Sequence, residues 1–148
     1  MKILLDTNVL IDYYLHKSGF YDDVSKIFMG AAYGDFDVWA PTKSFSDIYY
    51  VGQKFVDGVK LQKMFLASFK YMNTVSLDSD DLQKACLYGW EDFEDCLISL
   101  AAEKINAKYM ITRDAIGFKE SRIEVVSPRD FLEIVERDFG IRYAEVKF

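Results

Sequence analysis

Short apolar runs alternate with longer amphipathic stretches along the chain. The short runs are rich in aliphatic and aromatic residues and are bounded by polar ones, which is typical of buried strands. Strands are predicted at residues 2–6 (KILLD), 36–40 (FDVWA), 73–77 (NTVSL), 108–112 (KYMIT) and 123–127 (IEVVS).

The stretches between these strands repeat their apolar residues at a spacing of three and four, which predicts helices. The predicted helices cover residues 9–17, 24–34, 41–55, 57–71, 79–88, 93–105 and 128–138. Pro41 and Pro128 are both expected to lie in the first turn of their helices, where proline is well tolerated. The tail at 141–148 alternates weakly and is a candidate for an extra edge strand.

Strands that alternate with helices indicate an α/β fold, in which a central, mainly parallel sheet carries helices on both faces. The resulting architecture is a three-layer α/β/α sandwich. No linker, repeat or low-complexity tract interrupts the pattern, so we expect residues 1–148 to form a single domain.

Ligands of such sheets bind at the carboxyl ends of the strands, close to the point where the strand order reverses. Two carboxylates follow strands directly: Asp6 ends the first, and Asp114 lies two residues after the KYMIT strand. Three more carboxylates lie in or near helices that approach the same edge. Asp47 belongs to the helix after the FDVWA strand, and Asp92 and Asp95 share one side of a helix start.

The charge and the composition narrow the possible functions. The chain has 24 acidic and 18 basic residues and a net charge of −6, which argues against a simple nucleic-acid-binding module. It does not argue against a nuclease, because a site built from carboxylates is acidic until cations fill it. Oxygen ligands of this kind suit Mg²⁺ or Mn²⁺ better than zinc.

Cysteine and histidine are too scarce for a zinc site. The chain has only Cys86, Cys96 and His16, and we expect both thiols to be reduced and to lie on buried helix faces. No run of apolar residues is long enough to cross a bilayer. The amino terminus also lacks the features of a signal peptide. We therefore expect a cytoplasmic protein without membrane contact. An aromatic fraction of 16% points to a homodimer interface.

Four segments, in this order, resemble a PIN domain. They are the runs LLDTNVLID and WEDFEDCLISLAA, the run ITRD with a following Phe118, and the run VVSPRDFL. The resemblance extends from Met1 to about Asp138 and is closest to stand-alone bacterial and archaeal PIN proteins, including VapC toxins. It implies a ribonuclease that cleaves single-stranded RNA with Mg²⁺ or Mn²⁺, and for a toxin it also implies an antitoxin partner.

The resemblance assigns roles to individual residues. The four acidic positions, which are catalytic and bind the metal, fall on Asp6, Asp47, Asp95 and Asp114. Supporting positions around them fall on Asn8, Thr112 and Asp92. Four basic residues near the expected edge are candidates for contacts with RNA phosphates: Lys43, Arg113, Lys119 and Arg122.

Two departures from the family pattern leave alternatives open. Asp47 is shorter than the usual glutamate, and Gly117 stands where many relatives have another aspartate. A PIN scaffold that has lost activity and acts as a binding or regulatory protein is therefore one alternative. A Mg²⁺-dependent phosphatase is another, although Asn8 occupies the position where haloacid-dehalogenase-like enzymes need a second aspartate. Taken singly, Asp6, Asp92 and Asp114 also fit ordinary caps or turns.

Overall fold

The structure, a computed structural model, describes residues 1–144. Its strands are β1 (Lys2–Leu5), β2 (Asp37–Pro41), β3 (Met72–Val75), β4 (Tyr109–Ile111) and β5 (Glu124–Val126). Its helices are α1 (Thr7–Tyr14), α2 (Tyr21–Ala32), α3 (Ser44–Gly52), α4 (Gly58–Ser68), α5 (Ser79–Tyr88), α6 (Phe93–Lys104) and α7 (Pro128–Phe139), with a 3₁₀ turn at Ile116–Phe118.

The strands form one parallel sheet in the order β3-β2-β1-β4-β5. The chain starts at the central strand, builds outwards through β2 and β3, and then crosses back to add β4 and β5 on the other side of β1. The strand order therefore reverses between β1 and β4, and their carboxyl ends frame the crevice in which such sheets bind ligands.

Helices cover both faces of the sheet, because successive strand residues point to opposite sides. Ile3 and Leu5 pack into a core with α1, α2, α3, α4 and α7, whereas Leu4 packs with Ile98 of α6 and Phe118 on the other face. Helix α5 packs on α6 through a smaller cluster that includes Ala85. The predicted three-layer α/β/α architecture with a parallel sheet is confirmed.

The two prolines behave differently from each other. Pro128 opens α7 as predicted, after Ser127, whose side chain caps the helix by accepting from the Asp130 N–H. The prediction that Pro41 opens a helix is wrong: it is the last residue of β2, opposite Val75 of β3. A fixed φ near −65° is compatible with a strand end as well as with a first helical turn, so proline alone does not distinguish them.

The predicted edge strand at the tail is wrong for residues 141–144, which are not in a strand, while residues 145–148 lie outside the described part. Tyr143 is instead buried, and its hydroxyl donates to Asp35 Oδ2 at 2.6 Å. A buried aromatic anchored by its own hydrogen bond explains why weak alternation did not produce a strand. The cysteine prediction holds for Cys96, which is buried, and fails for Cys86, which is exposed on α5.

Candidate active site

Asp6 occupies the crevice between β1 and β4. Its backbone N–H donates to Ile111 at 2.9 Å, and its side chain caps α1 by accepting from the Thr7 N–H at 2.7 Å. The second carboxylate oxygen accepts from the Thr112 hydroxyl at 2.8 Å, so both oxygens have a donor. Asp6 is only 6% exposed, and burial raises the pKa of its carboxyl while these two donors oppose the rise.

Thr112 joins Asp6 to the loop after β4. Its hydroxyl oxygen accepts from the Asp114 N–H at 3.1 Å and from Asn8 Nδ2 at 3.4 Å. The side chain is 1% exposed, so this network is shielded from competing water. Asp6, Asn8, Thr112 and Asp114 are thus brought together, and the hydroxyl donates to the Asp6 carboxylate while it accepts from the Asp114 backbone.

Asp95 lies in the first turn of α6, and its backbone N–H is capped by the Asp92 carboxylate at 3.0 Å. Burial raises the pKa of Asp95 to about 7, and repulsion from Asp92, Asp6 and Asp114 adds to the rise. Mutual repulsion of this kind means that the carboxylates lie close enough to sense one another. They form a cluster whose charge would be stabilised by a cation.

Gly117 and Asp95 are in direct contact. A Cβ at Gly117 would overlap Asp95 Oδ2, so the carboxylate fills the space that any side chain at this position would need. The Asp95 carboxylate therefore lies directly against the backbone of Gly117. This explains the glycine in terms of packing, without giving it a role in the chemistry.

Asp47 approaches the same edge from α3. The start of this helix is tied to α1 by a hydrogen bond of 2.8 Å between the hydroxyls of Ser44 and Thr7. Asp47 Oδ2 is a buried atom without a hydrogen-bond partner, although the Lys43 ammonium lies 3.5 Å away. That ammonium also donates to Glu94 at 3.1 Å, so one lysine partly neutralises two carboxylates beside the crevice.

We call the set Asp6, Asp47, Asp95 and Asp114 the acidic rim. Its oxygen-only donors fit a hard divalent cation, and so does Asp47 Oδ2, which accepts no hydrogen bond although it pairs with the Lys43 ammonium. In their present positions, however, no three aspartate, glutamate, histidine or cysteine side chains among residues 1–144 form a ready metal site. The chemistry of the donors fits Mg²⁺ or Mn²⁺, and the metal-binding assignment remains a prediction.

The basic candidates are distributed unevenly. Lys43 lies at the acidic rim, and Lys119 lines a cleft of about 500 Å³ together with Asp92 and Gly117. Arg122 lies just before β5, at the opposite end of the strands from Asp6, and stacks over Tyr88 with its guanidinium carbon 5.0 Å from the ring centroid. The structure therefore does not bring Arg122 to the rim.

Arg113 is engaged by a residue that sequence reasoning missed. Its Nε donates to Asp12 Oδ2 at 2.6 Å and its Nη2 donates to Asp12 Oδ1 at 3.2 Å. Asp12 is completely buried. The guanidinium carbon of Arg113 lies over the Phe20 ring, 4.1 Å from the ring centroid. A carboxylate within the otherwise apolar face of α1 was the available signal, since buried charges require partners.

A second cleft, of about 530 Å³, opens next to the rim at the carboxyl ends of β2 and β3. Lys43 lines it on the side of the rim. Its other walls are mostly aliphatic, and Val75, Leu77, Leu82 and Leu97 contribute to them. The cleft combines apolar walls with a few polar groups, which is the usual composition of a small-molecule or base-binding pocket.

Comparison with known proteins identifies the family. A family model described as a PIN domain matches residues 2–115, which contain the whole acidic rim. No curated protein matches the chain at a significant level.

Solved structures share the fold at low sequence identity. A toxin–antitoxin complex from Klebsiella pneumoniae is 18% identical with a TM-score of 0.62, covering 85% of this chain and 97% of that one. VapBC2 from Rickettsia felis, bound to a DNA fragment from its promoter, is 14% identical with a TM-score of 0.61, covering 86% and 98%. The Mycobacterium tuberculosis toxin VapC20, described as cleaving the sarcin–ricin loop, is 10% identical with a TM-score of 0.64, covering 83% and 98%.

These similarities extend over nearly all of each solved chain, and they agree with the parallel sheet and its helices. They show the fold, and the match over residues 2–115 shows the family. No helix among residues 1–144 is long and apolar enough to span a membrane. The chain belongs to the PIN-domain family.

Proposed function

We propose that this protein is a metal-dependent ribonuclease that hydrolyses phosphodiester bonds of single-stranded RNA. The observation that carries the proposal is the placement of Asp6: a buried carboxylate at the strand-order reversal, with both oxygens oriented by donors and with Asp95 and Asp114 close enough to repel it. Protein folds tolerate such repulsion when a bound cation relieves it.

Each residue of the acidic rim has a distinct task in this proposal. Asp6 is held rigidly by Thr7 and Thr112 and is the fixed ligand. Asp95 and Asp114 complete the site from α6 and from the loop after β4, and Asp47 contributes from α3 through the oxygen that accepts no hydrogen bond. Three residues support these carboxylates: Thr112 donates to Asp6, Asp92 accepts from the Asp95 N–H, and Asn8 donates to the Thr112 hydroxyl.

When bound, Mg²⁺ or Mn²⁺ supplies an activated water and stabilises the charge that develops on the phosphate. Asp6, Asp47, Asp95 and Asp114 would hold the cation at the carboxyl ends of the strands. The P–O3′ bond breaks and the oxygen of water is added to phosphorus, which leaves a 5′-phosphate and a 3′-hydroxyl. Histidine is not required as a base, in agreement with the position of His16 at the far end of α1.

The surroundings of the rim and the similar proteins support a particular substrate and partner. Single-stranded RNA suits the site because the cleft of about 530 Å³ beside Lys43 accommodates an unpaired base. We also propose that the protein is the toxin of a toxin–antitoxin pair, as the similar proteins from Klebsiella pneumoniae and Rickettsia felis are described in complexes. A partner that carries a basic or aromatic segment would complement the acidic rim.

Cleavage of a fluorescent single-stranded RNA tests the proposal. The wild type should cleave it with Mn²⁺ or Mg²⁺, and chelation should abolish cleavage. Asp6→Asn should lower the rate by at least two orders of magnitude, because it removes the charge and keeps the size. Asp130→Asn is a matched control, since that carboxylate is exposed in the first turn of α7. Hydrolysis of a phosphomonoester with intact RNA would favour a phosphatase instead.

A binding or regulatory scaffold is the second candidate. The observation that favours it is that Lys43 already neutralises Asp47 and Glu94 and that the rim is not preassembled for a cation. Calorimetric titration with Mn²⁺ separates the two functions. A nuclease should bind Mn²⁺ at millimolar concentration or below, and its Asp6→Asn variant should bind much more weakly, whereas a scaffold has no need to bind it.

A further inference from the structure

We propose that Asp12 is a positioning residue for the acidic rim: it holds Arg113, and through it the loop that carries Asp114, at a fixed place relative to Asp6. The inference rests on the proposed function, because it concerns the alignment of two of the proposed metal ligands. Its own basis is an ion pair between α1 and the loop after β4, in which the Asp12 carboxylate is buried and the Arg113 side chain is partly exposed.

The geometry of this pair is specific. The guanidinium of Arg113 binds both carboxylate oxygens of Asp12, at 2.6 and 3.2 Å, and Phe20 covers its face. A planar fork held by two hydrogen bonds and a stacked ring has little freedom to rotate. The Arg113 side chain is 27% exposed, whereas that of Asp12 is fully buried, so the pair is anchored from the inside of the molecule.

Helix α1 connects this anchor to the first carboxylate of the rim. Asp6 is the N-cap of α1, and Asn8 and Asp12 follow on the same side of the helix, four residues apart. Asn8 contacts the Arg113 N–H at 3.5 Å, and Asp12 holds the Arg113 side chain. A single rigid helix therefore binds residue 113 at two points and carries Asp6 at its end.

The loop after β4 holds Asp114, the second carboxylate whose position relative to Asp6 is concerned. Arg113 lies between Thr112, which binds Asp6, and Asp114, whose N–H binds the Thr112 hydroxyl. Asp114 itself is exposed, and its carboxylate has no hydrogen bond or ion pair among the described contacts. The position of Asp114 is thus determined by the backbone of the loop, and the ion pair between Asp12 and Arg113 restrains that backbone.

A stabilising role alone does not require a charged pair here. Replacing a buried ion pair with apolar residues of similar size is often neutral or favourable, because desolvation offsets the attraction between the charges. What the pair provides and an apolar contact does not is a directional link of fixed length. A cation that must be bound by Asp6 and Asp114 together benefits from such a link.

Asp12→Asn tests the inference, because it keeps the shape of the side chain and removes its charge. Two measurements do not depend on activity: hydrogen exchange of the amides of residues 112–114 without metal, and Mn²⁺ affinity by calorimetry. We expect faster exchange in this loop and unchanged exchange in α6. We expect Mn²⁺ affinity to fall by about 10- to 100-fold, the usual cost of losing a partner that orients a metal ligand.

Asp138→Asn is the matched control. Asp138 pairs with Arg137 at 2.9 Å near the end of α7, away from Arg113 and Phe20. This variant should leave loop exchange and Mn²⁺ affinity at wild-type values. Where Asp12→Asn unfolds, Arg113→Lys replaces it, since lysine keeps the charge and loses the two-point contact.

A second variant separates positioning from general destabilisation. In an Asp114→Asn background, Asp12→Asn should have almost no further effect on Mn²⁺ affinity, because the ligand that it aligns is gone. Full additivity of the two effects, or a folded Asp12→Asn with wild-type exchange and affinity, would overturn the inference alone. A wild type that binds no Mn²⁺ would instead contradict the proposed function, and the exchange measurement would still decide whether Asp12 holds the loop.

Discussion

Asp6 and Asp95 have different hydrogen-bond surroundings in the acidic rim, although burial raises the pKa of both carboxyls. Asp6 is buried with a donor on each oxygen, and Asp95 sits against Gly117 among other carboxylates. The first arrangement favours a fixed, oriented carboxylate, whereas the second favours a carboxyl that holds its proton up to about pH 7. The rim thus combines one preorganised residue with one whose charge is costly unless a cation is present.

The stability of the metal-free protein should therefore depend on Asp95. Because the folded state raises the pKa of this carboxyl from 3.8 to about 7, the folded state binds the proton more tightly than the unfolded state does. Stability should fall as pH rises from about 4 to about 7, and Asp95→Asn should remove that loss. Thermal unfolding in chelator should show a higher Tm for Asp95→Asn than for wild type at pH 8, with a smaller difference at pH 5.

The control for that measurement is Asp80→Asn. Asp80 is also in the first turn of a helix, α5, so both variants lose a favourable charge at a helix start. Asp80→Asn should leave Tm unchanged or slightly lower at both pH values. Equal Tm values for wild type and Asp95→Asn at pH 8 would contradict the electrostatic description of the rim.

Asp47 is one methylene shorter than the residue that the family usually has at its position. Its buried oxygen has no hydrogen-bond partner and lies 3.5 Å from the Lys43 ammonium. Asp47→Glu should extend the carboxylate towards the crevice and raise the rate of RNA cleavage several-fold, whereas Asp47→Asn should lower it. A glutamate variant with reduced Mn²⁺ affinity and reduced cleavage would show that the shorter side chain is the better ligand here.

At the scale of elements, the strands and helices were predictable from the spacing of apolar residues in the sequence, but their first and last residues were not. Strand and helix periods are local properties, so every strand and long helix was predictable within a few residues. The position of Pro41 was not predictable, because the backbone angle of proline suits a first helical turn and a strand end equally well. The burial of Tyr143 depends on a distant partner, Asp35, which a local pattern does not reveal.

In the candidate site, too, local patterns predicted some residues and long-range contacts determined others. Asp6 and Asp114 were identifiable because they follow strands, and Asp95 because it precedes an apolar helical stripe. Asp12 was not, because its partner Arg113 is 101 residues away and only the fold brings them together. Long-range pairing of buried charges is a tertiary property, so it escapes reasoning from local spacing.

The cleft between the strand ends and α5 offers a test at this scale. Leu82 lines the cleft, whereas Leu87 lies on the same helix, is 86% exposed and does not line it. If the cleft holds a base of the RNA, Leu82→Asp should raise KM for single-stranded RNA and leave kcat nearly unchanged. Leu87→Asp, with the same change of charge, should leave both at wild-type values; equal effects of the two variants would argue against the cleft.

At the scale of the whole molecule, exposed apolar side chains predict how the protein assembles. Exposed apolar side chains recur on α3, α4 and the segment between them, where Tyr50, Phe55 and Leu66 are 64%, 76% and 71% exposed. Large exposed aromatic and aliphatic side chains are typical of interfaces, which agrees with the homodimer predicted from aromatic content.

Light scattering at micromolar concentration should therefore report a dimer. The double variant Phe55→Ser with Leu66→Ser should shift the mass towards that of a monomer, because it removes two exposed apolar contacts. Leu87→Ser, on α5, should not shift it. A wild type that scatters as a monomer at all accessible concentrations would contradict the prediction.

The most direct test of the central claim is a crystal structure of the protein soaked in Mn²⁺, with anomalous diffraction recorded at the manganese edge. The claim predicts an anomalous peak at bonding distance from the Asp6 carboxylate and from at least one of Asp95 and Asp114, with no such peak in Asp6→Asn. Saturating Mn²⁺ without a peak at Asp6, or with peaks only at other carboxylates, would contradict it.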